Sequence, residues 1–161
     1  MDLFKKELRS ILLALVLGVL VVILLGAWMK KLHRVGPYAD FFSQGVQVDN
    51  ILTLAGQIGI DSDGNIPESI KDQMAVCYAN IKEVLHHYDA TLDNIIDETW
   101  FVTDVNECME NVEDIFAERE KIYGCKPEVS QTLVGITALV QPELKIEIKC
   151  IAYLNDEWQR P

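Results

Sequence analysis

The sequence has no basic stripe, no internal repeat, no low-complexity tract and no CxxC pair. Each absence removes a class of function. Residues 35–161 hold 8 Lys and Arg against 23 Asp and Glu, a net of −15. Such a surface repels phosphate backbones, so no nucleic-acid partner is expected. Without a repeat the chain is not a solenoid. The four cysteines, Cys77, Cys108, Cys125 and Cys150, lack the spacing of a zinc or redox motif. Among apolar neighbours they read as reduced, small hydrophobic residues, which favours a cytoplasmic domain. No Ser-His-Asp or Cys-His arrangement has local support.

What is present begins with a long apolar run. Residues 11–29 carry no charge over 19 positions. As a helix they would span roughly 28 Å, close to the hydrocarbon thickness of a bilayer. Lys5, Lys6 and Arg9 precede the run, and Lys30, Lys31 and Arg34 follow it. Trp28 sits where an interfacial ring is favoured. Gly26-Ala27 followed by Trp28-Met29 makes a poor cleavage site. The expectation is a retained single-pass membrane anchor over residues 1–34, a short basic linker over 30–37 and a soluble domain over 35–161. With three basic residues on each side of the run, its orientation is nearly balanced.

The domain reads as one α+β unit. Val46-Gln47-Val48 and residues 51–55 alternate as strands around an Asp49-Asn50 turn. Ile70, Met74, Cys77, Ile81, Val84, Leu85 and Tyr88 recur at helical spacing, which predicts a helix over about 67–88 with Pro67 in its first turn. A strand follows at 95–103, then a helix at about 106–122 that ends at Gly124 and buries Val112, Ile115, Phe116 and Ile122. Two strands, 129–139 and 145–154, flank a turn at Gln141-Pro142-Glu143. The order β-β-α-β-α-β-β gives a two-layer sandwich with two helices on one face of a mostly antiparallel sheet. Nothing remains to cover the other face, where apolar residues also project. That predicts a homo-oligomer.

Other constellations read more plainly. His86 and His87 are adjacent on a helix, so their rings diverge by about 100° and chelate one metal poorly. Asp61-Ser62-Asp63-Gly64-Asn65 has its glycine out of place for a calcium loop, and Asp72 stands where a bidentate Glu is needed, so it reads as a turn. Glu107, Glu110, Glu113, Asp114, Glu118 and Glu120 form a solvated acidic face or a docking surface for a basic partner.

The run Gly45-Val46 to Ala55-Gly56-Gln57-Ile58 resembles the strand-turn-strand opening of the Rid (YjgF, reactive intermediate deaminase) family. Gln73 and Asn80 match its helix pattern, and Phe101-Val102-Thr103-Asp104-Val105-Asn106 its central strand and following helix start. Thr132 to Ile136 and Pro142 to Ile148 match its final hairpin. The resemblance spans residues 36–154. It implies a chorismate-mutase-like fold, a homotrimer whose sheets line a central barrel, and a small-molecule pocket at each subunit interface. It implies hydrolysis of reactive enamines and imines without metal or cofactor. The family's carboxylate-binding arginine falls on Gln131 or Thr132, and no arginine lies between Arg119 and Arg160. Its last-strand glutamate falls on Lys149, its pocket tyrosine on Phe42 or Tyr38, and the serine of its Ser-Gly-Gln segment on Ala55. The candidate interface pocket is therefore Tyr38, Phe42, Ala55, Gly56, Gln57, Asn106, Gln131, Thr132 and Lys149. Three readings stay open: an enamine or imine hydrolase of altered substrate range, a non-catalytic binding module, and a structural trimer.

Overall fold

The computed structural model describes residues 30–155, together with residues 7, 9 and 11–18. The expectation of a membrane location is overturned here. Among the described residues, no helix is long and apolar enough to cross a membrane. Residues 19–29 of the apolar run lie outside the described residues.

The expected basic linker contributes a strand instead. β1 (Lys31–His33) pairs antiparallel with β2 (Gly45–Val48). β2 turns through Asp49, at φ 51°, into β3 (Ile51–Leu54). That positive φ suits Asp in a two-residue hairpin turn. A two-residue strand, β4 (Gln57–Ile58), follows. α1 (Ile70–His86) begins at Ser69, whose side chain accepts from the Asp72 amide. The N-cap thus sits two residues beyond Pro67, so the helix starts later than its proline suggests.

After β5 (Ile95–Val102), the single helix expected over 106–122 is two: α2 (Val105–Glu110) and α3 (Val112–Tyr123). Asn111 separates them at φ −106°, ψ 13°, and its side-chain amide donates back to the Glu107 carbonyl at 2.8 Å. Gly124, at φ 73°, closes α3 as expected. The buried stripe of α3 is Ile115, Arg119 and Tyr123, while Phe116 stays 38% exposed.

β6 (Ser130–Gly135) stops four residues short of expectation, and β7 (Ile146–Tyr153) completes the sheet. The sheet order is β1-β2-β3-β7-β5-β6, with β4 also paired to β7. β6 runs parallel to β5 and the other pairs are antiparallel. The sheet is therefore mixed.

One face carries the core. Leu52, Leu54, Trp100, Val102, Ile146, Ile148 and Ala152 pack there with Met74, Tyr78, Ile81 and Leu85 of α1 and Ile115 of α3. Gln73 and Asn80 tie the layers by filling backbone valences. Gln73 Nε2 donates to the carbonyls of Pro67 (2.8 Å) and Glu143 (2.9 Å), and its Oε1 accepts from the Lys145 amide at 2.8 Å. Asn80 Nδ2 donates to Ile58 O and Ile60 O at 3.0 Å each. A buried carbonyl left without a donor would cost about 1–3 kcal/mol, so these two amides hold β4 and the approach to β7 in place. The four cysteines are free thiols. Burial pushes the Cys77 and Cys150 thiols up, so they sit in the core as neutral groups.

Candidate functional site

Strand register decides which side chains meet. Across β6, β5 and β7, Thr132, Thr99 and Lys149 are consecutive partners and share the sheet face opposite the helices. The next row on that face is Val134, Phe101, Glu147 and Ile58. Thr53 and Ile151 extend the face toward β2, and Leu32, Val48 and Ile51 lie on it, 46%, 42% and 41% exposed.

The expected pocket residues divide. Thr132 and Lys149 come together on the open face with Thr99 between them. Gly56 joins them from the β3–β4 connection. A Cβ on Gly56 would lie 1.8 Å from Glu147 Oε1, so the Glu147 carboxylate rests directly against its backbone. Ala55 is held beside it, its amide donating to the Gln44 carbonyl at 2.9 Å. Gln57 has a local job, with its side chain donating to Gln44 Oε1 (3.0 Å) and Ala55 O (3.1 Å). Tyr38 and Phe42 lie in the β1–β2 connection as an exposed stacked pair, centroids 5.8 Å apart. Asn106 opens α2, where its amide donates to Asp104 Oδ1 at 2.8 Å.

Gln131 does not join the open face. Its partner in β5 is Glu98, so it faces the helices. Its Nε2 is buried and has no hydrogen-bond partner among the described residues.

The register also shows what the sequence reading missed. The last-strand carboxylate set into the face is Glu147, two residues from the Lys149 to which the family's glutamate was matched. Burial raises the Glu147 carboxyl above its ordinary value, because a half-desolvated carboxylate loses hydration that its neutral form needs less. Among the described residues, Lys149 pairs with no carboxylate. The strict alternation of Lys145-Ile146-Glu147-Ile148-Lys149 already put Glu147 on this face. The missing signal was which of its polar positions would be enclosed.

A second group lies beneath the sheet and was not foreseen. Glu98 is fully buried and accepts from Tyr78 OH at 2.9 Å, from Arg119 Nη2 at 2.7 Å and from Tyr123 OH. Arg119 Nε also donates to Tyr78 OH at 3.0 Å. The guanidinium lies over the rings of Trp100, Phe116 and Tyr123, at 5.7, 5.8 and 5.4 Å. Burial, then the Glu98 charge, pushes both phenols up, so they remain neutral donors. A glutamate in the middle of an otherwise buried strand pattern was the available signal. With every polar partner occupied, this cluster organises the core around one geometry.

The Asp61 turn is also settled by its bonds. The Asp61 carboxylate accepts from the amides of Asp63 (2.9 Å) and Asn65 (2.8 Å) and from Asn65 Nδ2 (3.0 Å). These bonds hold its carboxyl below the usual range and close the turn.

Known proteins are similar to this chain in sequence and fold. The model of the endoribonuclease L-PSP family matches residues 32–154. A RutC family protein of Aquifex aeolicus is 31% identical over 119 residues, covering 73% of this chain and 90% of that one. A putative reactive intermediate deaminase, TdcF, of Escherichia coli is 28% identical over 122 residues, covering 73% and 87%. Among solved structures, YyfA from Yersinia pestis, described as a protein of unknown function of the conserved Rid family, aligns with a TM-score of 0.66 at 25% identity. That alignment covers 78% of this chain and all of that one. With its strands, helices and matched span in agreement, this chain belongs to the endoribonuclease L-PSP family, in which the RutC and Rid proteins stand.

Proposed function

We propose that the protein hydrolyses reactive enamines or imines on the open face of its sheet, in pockets completed by further copies in a homotrimer. The observation that carries this reading is Glu147. Its carboxyl is half-buried against Gly56, held above its ordinary pKa and aimed at a face that also holds Thr99, Thr132 and an unpaired Lys149. An enamine protonated at carbon becomes an iminium ion. Water adds to its C=N carbon while Glu147 takes the water proton. Glu147 returns that proton to nitrogen, and as the C–N bond breaks it takes the proton of the new hydroxyl. A neutral carbonyl compound and an amine or ammonia leave, and the carboxyl is left protonated for the next enamine. A carboxyl whose pKa lies closer to neutrality suits both transfers.

In this reading Tyr38 and Phe42 supply aromatic walls, Ala55 and Gly56 admit the substrate to the backbone, and no cofactor takes part. The absence of any arginine between Arg119 and Arg160 favours substrates that do not depend on a bidentate carboxylate clamp. RNA is a poor substrate despite the family's name, because residues 35–161 carry a net charge of −15. The same missing arginine favours the alternative, a module that binds a small metabolite without turning it over.

The full chain would be assayed with imines generated in situ from several amino acids and simple amines. Accelerated decay that Glu147→Gln abolishes is the expected result. No acceleration with any of them, beside a working control enzyme, sinks the hydrolase and leaves the binding module. Sizing of the same sample should give three chains, and a monomer would remove the completed pocket.

A further inference from the structure

β1 is the outermost strand and only three residues long. Strand pairing alone holds such an edge weakly. Here it is also clamped to the end of α1. The His33 ring stacks on the His87 ring, centroids 3.8 Å apart and planes 25° from parallel. Tyr88 stands edge-on to both, at 6.4 Å from His33 and 5.1 Å from His87. Its hydroxyl donates to the Lys31 carbonyl at 3.3 Å, and the Lys31 ammonium lies 5.0 Å from its ring centroid. β2 makes room for this clamp. A Cβ on Gly45 would meet the Tyr88 ring at 2.7 Å.

From this geometry we infer that the His33–His87 stack is a pH-operated latch, which holds β1 on the sheet while the His33 imidazole is neutral and releases it when that ring takes up a proton. A cation on His33 is disfavoured by burial and by the His87 ring stacked on it, and the Lys31 ammonium at the same clamp carries the same sign. The titratable groups around the stack are Lys31 from β1 and His87 and Tyr88 from the end of α1, while β2 faces it with Gly45. Among the described residues no carboxylate acts on His33.

Burial, then the neighbouring His87, holds the His33 imidazole below its ordinary 6.5. A histidine depressed by folding stabilises the clamp fully above its unfolded pKa and loses that contribution as pH falls below it. The latch is therefore closed above about pH 6.5 and opens on acidification.

Release has a defined consequence. The bond from the Gln44 amide to the His33 carbonyl, 2.7 Å, ties the β1–β2 connection to β1. That connection carries Tyr38 and Phe42, so opening the latch frees both rings.

Amide hydrogen exchange of the full chain, corrected for intrinsic rates, tests this at about pH 7.5 and pH 5. Protection over residues 31–33 should be lost in acid, with the interior of α1 unchanged. His33→Phe keeps a stacking ring that cannot titrate, and its protection should stay high at both pH values. His87→Ala should expose the segment at both. Protection that ignores pH, a His33→Phe variant that opens like the parent, or loss of α1 protection at the same pH would each overturn the latch.

Discussion

The two faces of the sheet are built from the same strands and have opposite fates. Towards the helices, β7 presents Ile146, Ile148, Cys150 and Ala152, each 1% exposed or less. Away from them it presents Glu147, Lys149, Ile151 and Tyr153, half-buried or exposed. The covered face tolerates a charge, Glu98, only because three donors surround it. The open face keeps Leu32, Val48 and Ile51 exposed at its β1–β3 end, and further along it Lys149 pairs with no carboxylate among the described residues. On the covered side burial has paired the Glu98 carboxylate with three donors, while on the open side Glu147 and Lys149 keep polar groups facing outward. The face that folding leaves uncovered is the one on which the proposed chemistry is placed.

Breaking the covered face should cost most. Arg119→Ala strands the Glu98 carboxylate and should lower stability by about 3–5 kcal/mol, read from urea unfolding. The double variant Glu98→Gln, Arg119→Met leaves no unpaired charge and should recover much of that loss. Leu54→Ala, at a site 1% exposed, should cost about 2–5 kcal/mol.

Gly56 joins the two faces, and Gly56→Ala sharpens the contrast. Its methyl must displace the Glu147 carboxylate, at about 1–3 kcal/mol, and turnover should fall further than stability does. Ile51→Asp, on the open face, should change the isolated chain's stability by no more than about 0.5 kcal/mol. It should nonetheless dissociate the proposed trimer on a sizing column.

Glu147→Gln should have the smallest effect on stability, and its sign depends on pH. Folding raises the Glu147 pKa, so its ionisation costs the folded state. That penalty is absent below the ordinary value of 4.5 and grows as pH rises through the folded value. The glutamine variant should therefore gain stability over the parent in neutral buffer and match it in acid.

Much of this was legible in the sequence. The period-2 pattern of β7 places Ile146, Ile148 and Cys150 on one face and Glu147 and Lys149 on the other, as found, and the 3.6 period of α1 names its apolar buried stripe but passes over Gln73 and Tyr78. Gln73 and Asn80 stood out as a pattern before their carbonyl partners were known. The misses share a cause. α3 was read by hydrophobicity, which chose Phe116 and passed over Arg119, because a residue's partner 21 positions away in Glu98 leaves no mark on a local period. Gln131 was placed in the pocket by its position along the chain, but a parallel pairing with β5 turned it toward the helices. Lys149 was taken for the position of the last-strand glutamate. One pleat away, Glu147 holds the enclosed carboxylate, and only the approach of Gly56 from another connection shows this. The apolar run at 11–29 has the length of a membrane span, yet among the described residues no helix is long and apolar enough to cross a membrane.

The sequence by itself determined the layers, the order of most elements and the acidic character of the domain, because these follow from periodicity and composition, which are local properties. Only the tertiary structure decided which polar groups are enclosed. Enclosure depends on residues distant in sequence arriving at the same place: Gly56 over Glu147, Arg119 under Glu98, His87 against His33. Each of those approaches removes water from a charge or a ring, and that loss of hydration gives an ordinary side chain its chemistry.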